Sequence, residues 1–505
     1  MAFMEQFKKA LDNRVVHTEN GAPAYATTGS ALVDLNFAAA SFRNKSEESI
    51  IRQFIQAFYE DKMLAMKWLF FLRDIRGGLG ERRSFRVILR YLAESDAVLA
   101  KKLVSLVAEY GRFDDLFSLF DTPAEEAAIS YIAKQLLTDM EAMEKGGVVS
   151  LCAKWMPGNN TSSEESRQRA LKIQKFMGLT AKEYRSMLSK LRAYLNVVEV
   201  QMSANKWNEI RYEAVPSKAN LIYRRAFYQH DELRRKAFLE AVARNEKQIH
   251  AGALMPHDIV VRYAKREGWR LTLGEKDDAL EALWNHLDDT VKGAQNVLCV
   301  VDGSGSMLCS VGNGNVTALQ VSNALGIYFA ERMQGPYKNK FITFSSRPQY
   351  VDISKCDSLR EKLELAFSHT DCSNTNILAT FDMILKTAVA NSLKQEELPQ
   401  TVLVISDMEF DAAACGQNME TLFETIRKRY AAYGYDMPKL VFWNVNSRTN
   451  AIPVKENKLG VGLVSGFSVN VCNMVLSGEV DPYLCLKKTL ESERYKMVEE
   501  CISCL

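Results

Sequence analysis

Apolar residues recur at helical spacing between residues 45 and 290. Ile51, Phe54, Ile55 and Phe58 stand at i, i+3, i+4 and i+7, with Ile50 on the same flank. The period returns in Phe85–Leu92, Val98–Glu109, Ala127–Met143, Lys182–Val198, Asn220–Ala243 and Ala279–His286. Glycines and prolines punctuate it, among them Gly77-Gly78, Gly111, Pro123, Gly146-Gly147, Pro216 and Pro256. Many helices joined by short links predict a helical-repeat, HEAT-like domain or an irregular bundle, and no strict repeat length is visible. Before residue 40 the pattern is less regular, and Gly21–Ser30 reads as a loop.

Past residue 290 the pattern changes. Short runs of continuously apolar, β-rich residues appear at Val297–Val301, Phe341–Phe344, Thr401–Ile405, Leu440–Trp443 and Gly462–Val464. Helical stretches separate them: Thr317–Met333, Ser358–Phe367, Ile377–Ala390 and Met419–Tyr433. Apolar strands alternating with helices predict a mostly parallel, doubly wound α/β sheet with both faces covered. The expected division is an α-helical domain over 1–290, an α/β domain over 291–480 and a short helical tail over 481–505.

Composition narrows the class. The chain has 505 residues, 25% of them charged and 47% hydrophobic, which excludes disorder over most of its length. The formal net charge is only +2, so the whole chain is not a polycation built for nucleic acid. The start, Met1–Lys9, carries Glu5, Lys8 and Lys9 and no long apolar stretch, and the most apolar run, Met63–Leu72, contains Lys67. The expectation is a cytoplasmic protein without a membrane span, a monomer being favoured. The ten cysteines are sparse and scattered; Cys299 sits in an apolar strand run and reads as a small buried hydrophobe. Cys501 and Cys504 make a lone CxxC, read as a frayed tail rather than a zinc or redox site.

The sharpest chemistry lies at the end of the first strand. Val300-Val301-Asp302-Gly303-Ser304-Gly305-Ser306-Met307 is a DxSxS turn presenting one carboxylate and two hydroxyls, hard ligands suited to Mg2+, Mn2+ or Ca2+. Asn374-Thr375-Asn376 opens a later helix, and Val402–Ser406 is an apolar strand ending at Asp407. In a doubly wound sheet these three loops converge at the carboxyl ends of the strands. The candidate metal ligands are therefore Asp302, Ser304, Ser306, Thr375 and Asp407, with Thr370, followed by Asp371, a rival for the threonine. Catalytic patterns fail: no Lys completes a phosphate loop after Gly303, Ser306 stands where a nucleophile elbow needs glycine, and none of the six histidines lies beside a Ser or Cys motif. His369 reads as a surface loop residue. The expectation is a protein that is not an enzyme.

Charge is uneven in the helical part. Residues 151–250 hold 19 Lys+Arg and 10 Asp+Glu, whereas residues 101–150 hold 5 and 9. Arg224, Arg225, Arg234, Arg235 and Lys236 fall on one long predicted helix, interleaved with Tyr223, Phe227 and Tyr228. A second cluster is Arg73, Arg76, Arg82, Arg83, Arg86 and Arg90. Basic residues with aromatics suit phosphate contact and base stacking, and single-stranded RNA is the natural partner of such a surface. The segment Arg76–Arg83, rich in glycine, follows a helix and reads as a helix–helix turn more than as a phosphate cradle.

Two resemblances join these readings. The order DxSxS, Thr, Asp resembles the metal-ion-dependent adhesion site of von Willebrand factor A domains; by that resemblance Ser304, Ser306 and Thr375 would bind the metal directly, and Asp302 and Asp407 directly or through water. Helices followed by such a domain resemble the Ro autoantigen (TROVE) proteins. Local phrases, among them Arg73-Asp74-Ile75-Arg76-Gly77-Gly78, Tyr110-Gly111-Arg112-Phe113-Asp114-Asp115-Leu116 and Ser406-Asp407-Met408-Glu409-Phe410, are closer to an uncharacterised family known only as a domain of unknown function. The Ro resemblance implies a Mg2+-binding, non-catalytic RNA scaffold, a ribonucleoprotein component. The alternative is a protein-interaction module whose metal captures a partner's acidic residue.

Overall fold

The structure, a computed structural model, describes residues 15–503 except 269, 292, 313, 371–374, 411–418, 450, 454–460 and 477–480; the side chains of 15, 419–421 and 473 are also outside the description. Of the residues singled out above, Met1–Lys9, Asp371, Asn374 and Cys504 lie outside the described set. The chain forms two compact units, each made of two separated segments: Met1–Ala65 with Leu254–Glu491, and Met66–Ala253 with Ser492–Leu505.

The first unit is built on a six-stranded mixed sheet. After the small antiparallel pairs β1 (Val15–His17) with β2 (Pro23–Tyr25), and β3 (Ala264–Glu267) with β4 (Arg270–Leu273), come β5 (Val297–Asp302), β6 (Lys340–Phe344), β7 (Tyr350–Asp352), β8 (Thr401–Ser406), β9 (Lys439–Asn444) and β10 (Val461–Ser465). The order is β10-β9-β8-β5-β6-β7, parallel throughout except for the edge strand β7. Strands β5 and β10 are buried along their whole length, which explains why they read as continuous apolar runs rather than alternating ones. The five expected strands are met to within one residue at either end; β7, only three residues long, has no counterpart among them. The helices Ala318–Arg332, Leu359–Ser368, Ile377–Ala390 and Met419–Ala432 also fall where the sequence puts them.

The helix Ala318–Arg332 lies hard against β5. A Cβ placed on Gly326 would stand 2.3 Å from Val301 Cγ2, so this close approach needs glycine. Gly326→Ala is expected to lower stability by about 1–3 kcal/mol through overpacking against a stiff valine, read as a reduced midpoint in urea at unchanged slope.

This unit also takes in helices that the sequence groups with the helical part, residues 1–290. Val33 and Phe37, on the helix Ala31–Ala38, belong to the same apolar core as Val300, Val402 and Phe442. Asn444 Nδ2 donates to Phe37 O at 2.8 Å, and Ala40 N donates to Ser465 Oγ at 3.0 Å. From the other side, Gln320 Nε2 donates to Ala264 O at 2.8 Å and Trp284 Nε1 to Glu331 Oε2 at 2.8 Å. An apolar stripe says that a helix has a partner but not which one.

The second unit is helical. Its longer helices are Arg83–Ser95, Ala97–Tyr110, Glu125–Glu144, Glu164–Phe176, Ala181–Tyr194, Ser217–His230 and Glu232–Ala243. The last two correct the expectation of one long helix. Asp231, at φ −150° and ψ 49°, breaks the run, and its carboxylate accepts from Tyr212 Oη (2.9 Å) and Arg234 Nη1 (2.9 Å). The segment 492–503 packs here too: Tyr495 stacks on Tyr110 with ring centroids 5.7 Å apart, and Arg494 pairs with Asp74 at 2.8 Å. The glycine segment is a turn. The amides of Gly78, Leu79 and Glu81 donate to Asp74 O, Phe71 O and Leu72 O, closing the preceding helix and leaving those donors engaged. No helix among the described residues is long and apolar enough to cross a membrane.

Candidate metal centre

Asp302 is the last residue of β5 and Asp407 directly follows β8, the neighbouring parallel strand. Each is 0% exposed. Asp302 Oδ1 accepts from Ser304 N at 2.9 Å, which shapes the turn, and Oδ2 accepts from Ser406 Oγ at 2.5 Å. That turn sets the Ser304 and Ser306 hydroxyls 2.9 Å apart. Asp407 Oδ1 accepts from Glu409 N (3.2 Å), and Oδ2 accepts from Arg448 Nη1 (2.9 Å). Between them Met408 holds a left-handed φ of 63°, a conformation costly for a long side chain and concentrated at functional turns.

Burial raises the Asp302 carboxyl to about 7, with the charge of Asp407 adding to it and hydrogen bonds from Ser406 and Ser304 opposing. Burial also raises Asp407, against the Arg448 guanidinium. Two carboxylates in a dry site with one cation beside them form a place short of positive charge. Carboxylate and hydroxyl oxygens are what a hard divalent cation binds, so the residues present fit Mg2+ or Mn2+. Among the described residues no three His, Cys, Asp or Glu side chains gather as a metal cluster; this site would depend on hydroxyls as well.

The threonine position has two candidates. Thr375 is 2% exposed and stands just before Asn376, whose side chain caps the helix Ile377–Ala390 by accepting from Ala379 N. Thr370 lies against the turn itself: a Cβ on Gly303 would stand 3.6 Å from its Cα and Cγ2. Both remain candidates. His369 is tied to its own helix, its Nδ1 2.8 Å from Leu365 O.

Arg448 and Glu409 are not among the candidate ligands yet frame the site. The Arg448 guanidinium spans Asp407, Ser306 O (3.4 Å) and Glu19 (2.5 Å). The Glu409 carboxylate accepts from Glu19 N (2.7 Å), Arg448 N (2.7 Å) and Thr449 N (3.1 Å), while Thr18 Oγ1 donates to Phe410 O (2.6 Å). The segment around β1 is thereby fastened beside the candidate ligands.

In the helical unit the five basic candidates separate. Arg235 is 1% exposed, bonded to Asn220 Oδ1 (3.1 Å) and enclosed by the rings of Tyr212, Phe227 and Phe238. Arg224 is 8% exposed and donates to Leu221 O. Both side chains are buried, unlike the surface cations expected from the sequence. Arg225, Arg234 and Lys236 are at the surface. Arg234 holds the carbonyls of Trp207 and Ile210, and Lys236 pairs with Glu232 at 2.7 Å.

Cys299 is buried and carries a free thiol.

Two family profiles match the chain, both described as domains of unknown function. One (DUF2828) covers residues 18–110 and 159–296, and the other (DUF7788) covers residues 296–500. An uncharacterized protein of Acanthamoeba polyphaga mimivirus is 30% identical over 515 residues, spanning 94% of this chain and 87% of that protein. The chain belongs to this uncharacterised family, whose two domains of unknown function meet at the start of the six-stranded sheet.

Proposed function

We propose that the protein is a non-enzymatic RNA-binding scaffold of the Ro type. In this reading the helical unit is a HEAT-like, TROVE-like RNA carrier. The sheet unit is a von Willebrand factor A-like domain whose Asp302, Ser304, Ser306, Asp407 and Thr375 (or Thr370) hold Mg2+, acting in the cytoplasm. The observation that supports RNA is charge. Segments 66–253 and 492–505 hold 33 Lys+Arg against 26 Asp+Glu, whereas the other unit holds 31 against 36. The near-neutral total thus divides into a basic unit and an acidic one. On the basic unit, Arg225 is exposed and has no ion-pair partner among the described residues. An unpaired guanidinium keeps its full attraction for phosphate.

The test is charge reversal on the surface cations. Arg225→Glu with Lys236→Glu is expected to weaken binding of single-stranded RNA about tenfold at low salt and to flatten its salt dependence. Both residues are exposed, so the fold should persist, checked by an unchanged melting temperature. Equal affinity of the variant and the parent would remove this surface from the reading.

The second reading, a metal-dependent protein-interaction module, draws on the hydroxyls of the turn. Ser304 and Ser306 leave a metal with few anionic ligands, and a partner's carboxylate would complete its shell. An acidic peptide that binds only with Mg2+, in the absence of any RNA affinity, would favour it.

A further inference from the structure

Away from the candidate metal centre, basic side chains gather where the helix Arg83–Ser95 begins. Three guanidiniums pair with two carboxylates, and a fourth lies near them. Arg73 Nε and Arg86 Nε take the two oxygens of Asp115 at 2.8 and 2.6 Å. Arg112 and Arg86 share Asp114 Oδ2 at 2.6 and 2.9 Å. Arg82, the fourth, is exposed and has no ion-pair partner among the described residues. Burial of its stem, then the charges of Arg112 and Arg86, lower its affinity for its proton; Asp114 and Asp115 only partly offset them. Four guanidiniums against two carboxylates leave a surplus of positive charge that attracts an anion.

The helix adds to the demand. Arg82 occupies its N-cap position without a side-chain cap bond, and its first turn has no acidic residue. The amide dipoles there face an uncompensated end. In that same turn the Ser84 hydroxyl is 0% exposed and has no hydrogen-bond partner among the described residues. Surplus guanidiniums, an uncapped helix start and an unmet buried hydroxyl share one place.

We propose that Arg82, with Arg86, Arg112 and the first turn of the helix Arg83–Ser95, forms a binding site for a phosphate group. Guanidinium forks match phosphate oxygens in pairs, and a helix start supplies further N–H donors. The group comes from an RNA backbone or from a free phosphate; the first source rests on the RNA reading above, the second does not. The glycine turn that precedes the site supplies shape only, because the amides of Gly78, Leu79 and Glu81 are already engaged.

The experiment compares the full chain with Arg82→Gln and with Arg90→Gln, a control whose guanidinium pairs with Glu94 on the same helix. Inorganic phosphate is titrated by calorimetry and short oligouridylate by fluorescence anisotropy. Arg82→Gln is expected to weaken phosphate, oligouridylate or both about tenfold, with a salt slope for RNA shallower by about 0.7 for each phosphate no longer held, while Arg90→Gln changes nothing. A loss confined to phosphate identifies a free-phosphate site; failure of the parent to bind oligouridylate would then count against the RNA reading alone. The proposal is overturned if Arg82→Gln binds both probes like the parent, if Arg90→Gln loses as much, or if the parent binds neither. Arg82 holds no ion pair among the described residues that its loss would break, and an unchanged melting temperature verifies the fold.

Discussion

In metal-free buffer Asp302→Asn should be at least as stable as the parent, and in Mg2+ the order should reverse. Asparagine keeps the shape of the turn, since its Oδ1 can accept from Ser304 N while its Nδ2 donates to Ser406 Oγ, reversing the bond that the carboxylate accepts there. What it removes is a charge that burial and the neighbouring Asp407 both penalise. Without metal that removal is neutral or favourable. With metal, a ligand that binds only the folded parent stabilises it by about 2.7 kcal/mol at a hundredfold excess over its dissociation constant. Melting curves in EDTA and in Mg2+ decide the matter. Equal Mg2+ shifts in parent and variant would end the metal assignment. Ser304→Ala should reproduce the loss of the Mg2+ response.

Arg448→Met should have the other large effect, and with the opposite sign toward metal. The guanidinium is the one cation bonded to Asp407 among the described residues, while the Asp407 side chain is 1% exposed. Its removal leaves a buried carboxylate uncompensated, which costs about 3–5 kcal/mol where both partners are buried. Because the Arg448 side chain is 21% exposed, a loss at the low end, about 3 kcal/mol, is expected in denaturant titration. A metal beside Asp407 would supply the missing charge, so Mg2+ should raise the melting temperature of this variant more than that of the parent. A variant destabilised equally with and without Mg2+ would show that Arg448 and the metal do not serve the same carboxylate.

The sheet was legible because both faces of each central strand are covered, so β5, β8 and β9 appear as unbroken apolar runs between helical stretches. The DxSxS turn was legible because its chemistry is local: Asp302, Ser304 and Ser306 lie within five residues. Arg448 was not, since a guanidinium that reaches Asp407 from a loop 41 residues on has no pattern to betray it. Nor was the break at Asp231, because its polar side chain fits a helix face as readily as the cap position it takes. The basic candidates show the same limit. Helical spacing placed Arg224 and Arg235 with Arg225 and Arg234 in a single cluster, but the turn of each helix puts the first two inside. Only packing could reveal that the three rings around Arg235 are its own core rather than stacking platforms for bases.

The most direct measurement is whether the purified full-length chain carries RNA. Its ratio of nucleic-acid to protein absorbance is read first, and bound nucleic acid is then extracted and sequenced. The account predicts a raised ratio, a defined RNA population, and release of that RNA as salt is increased. A protein free of nucleic acid that also ignores added single-stranded RNA at low salt would contradict it.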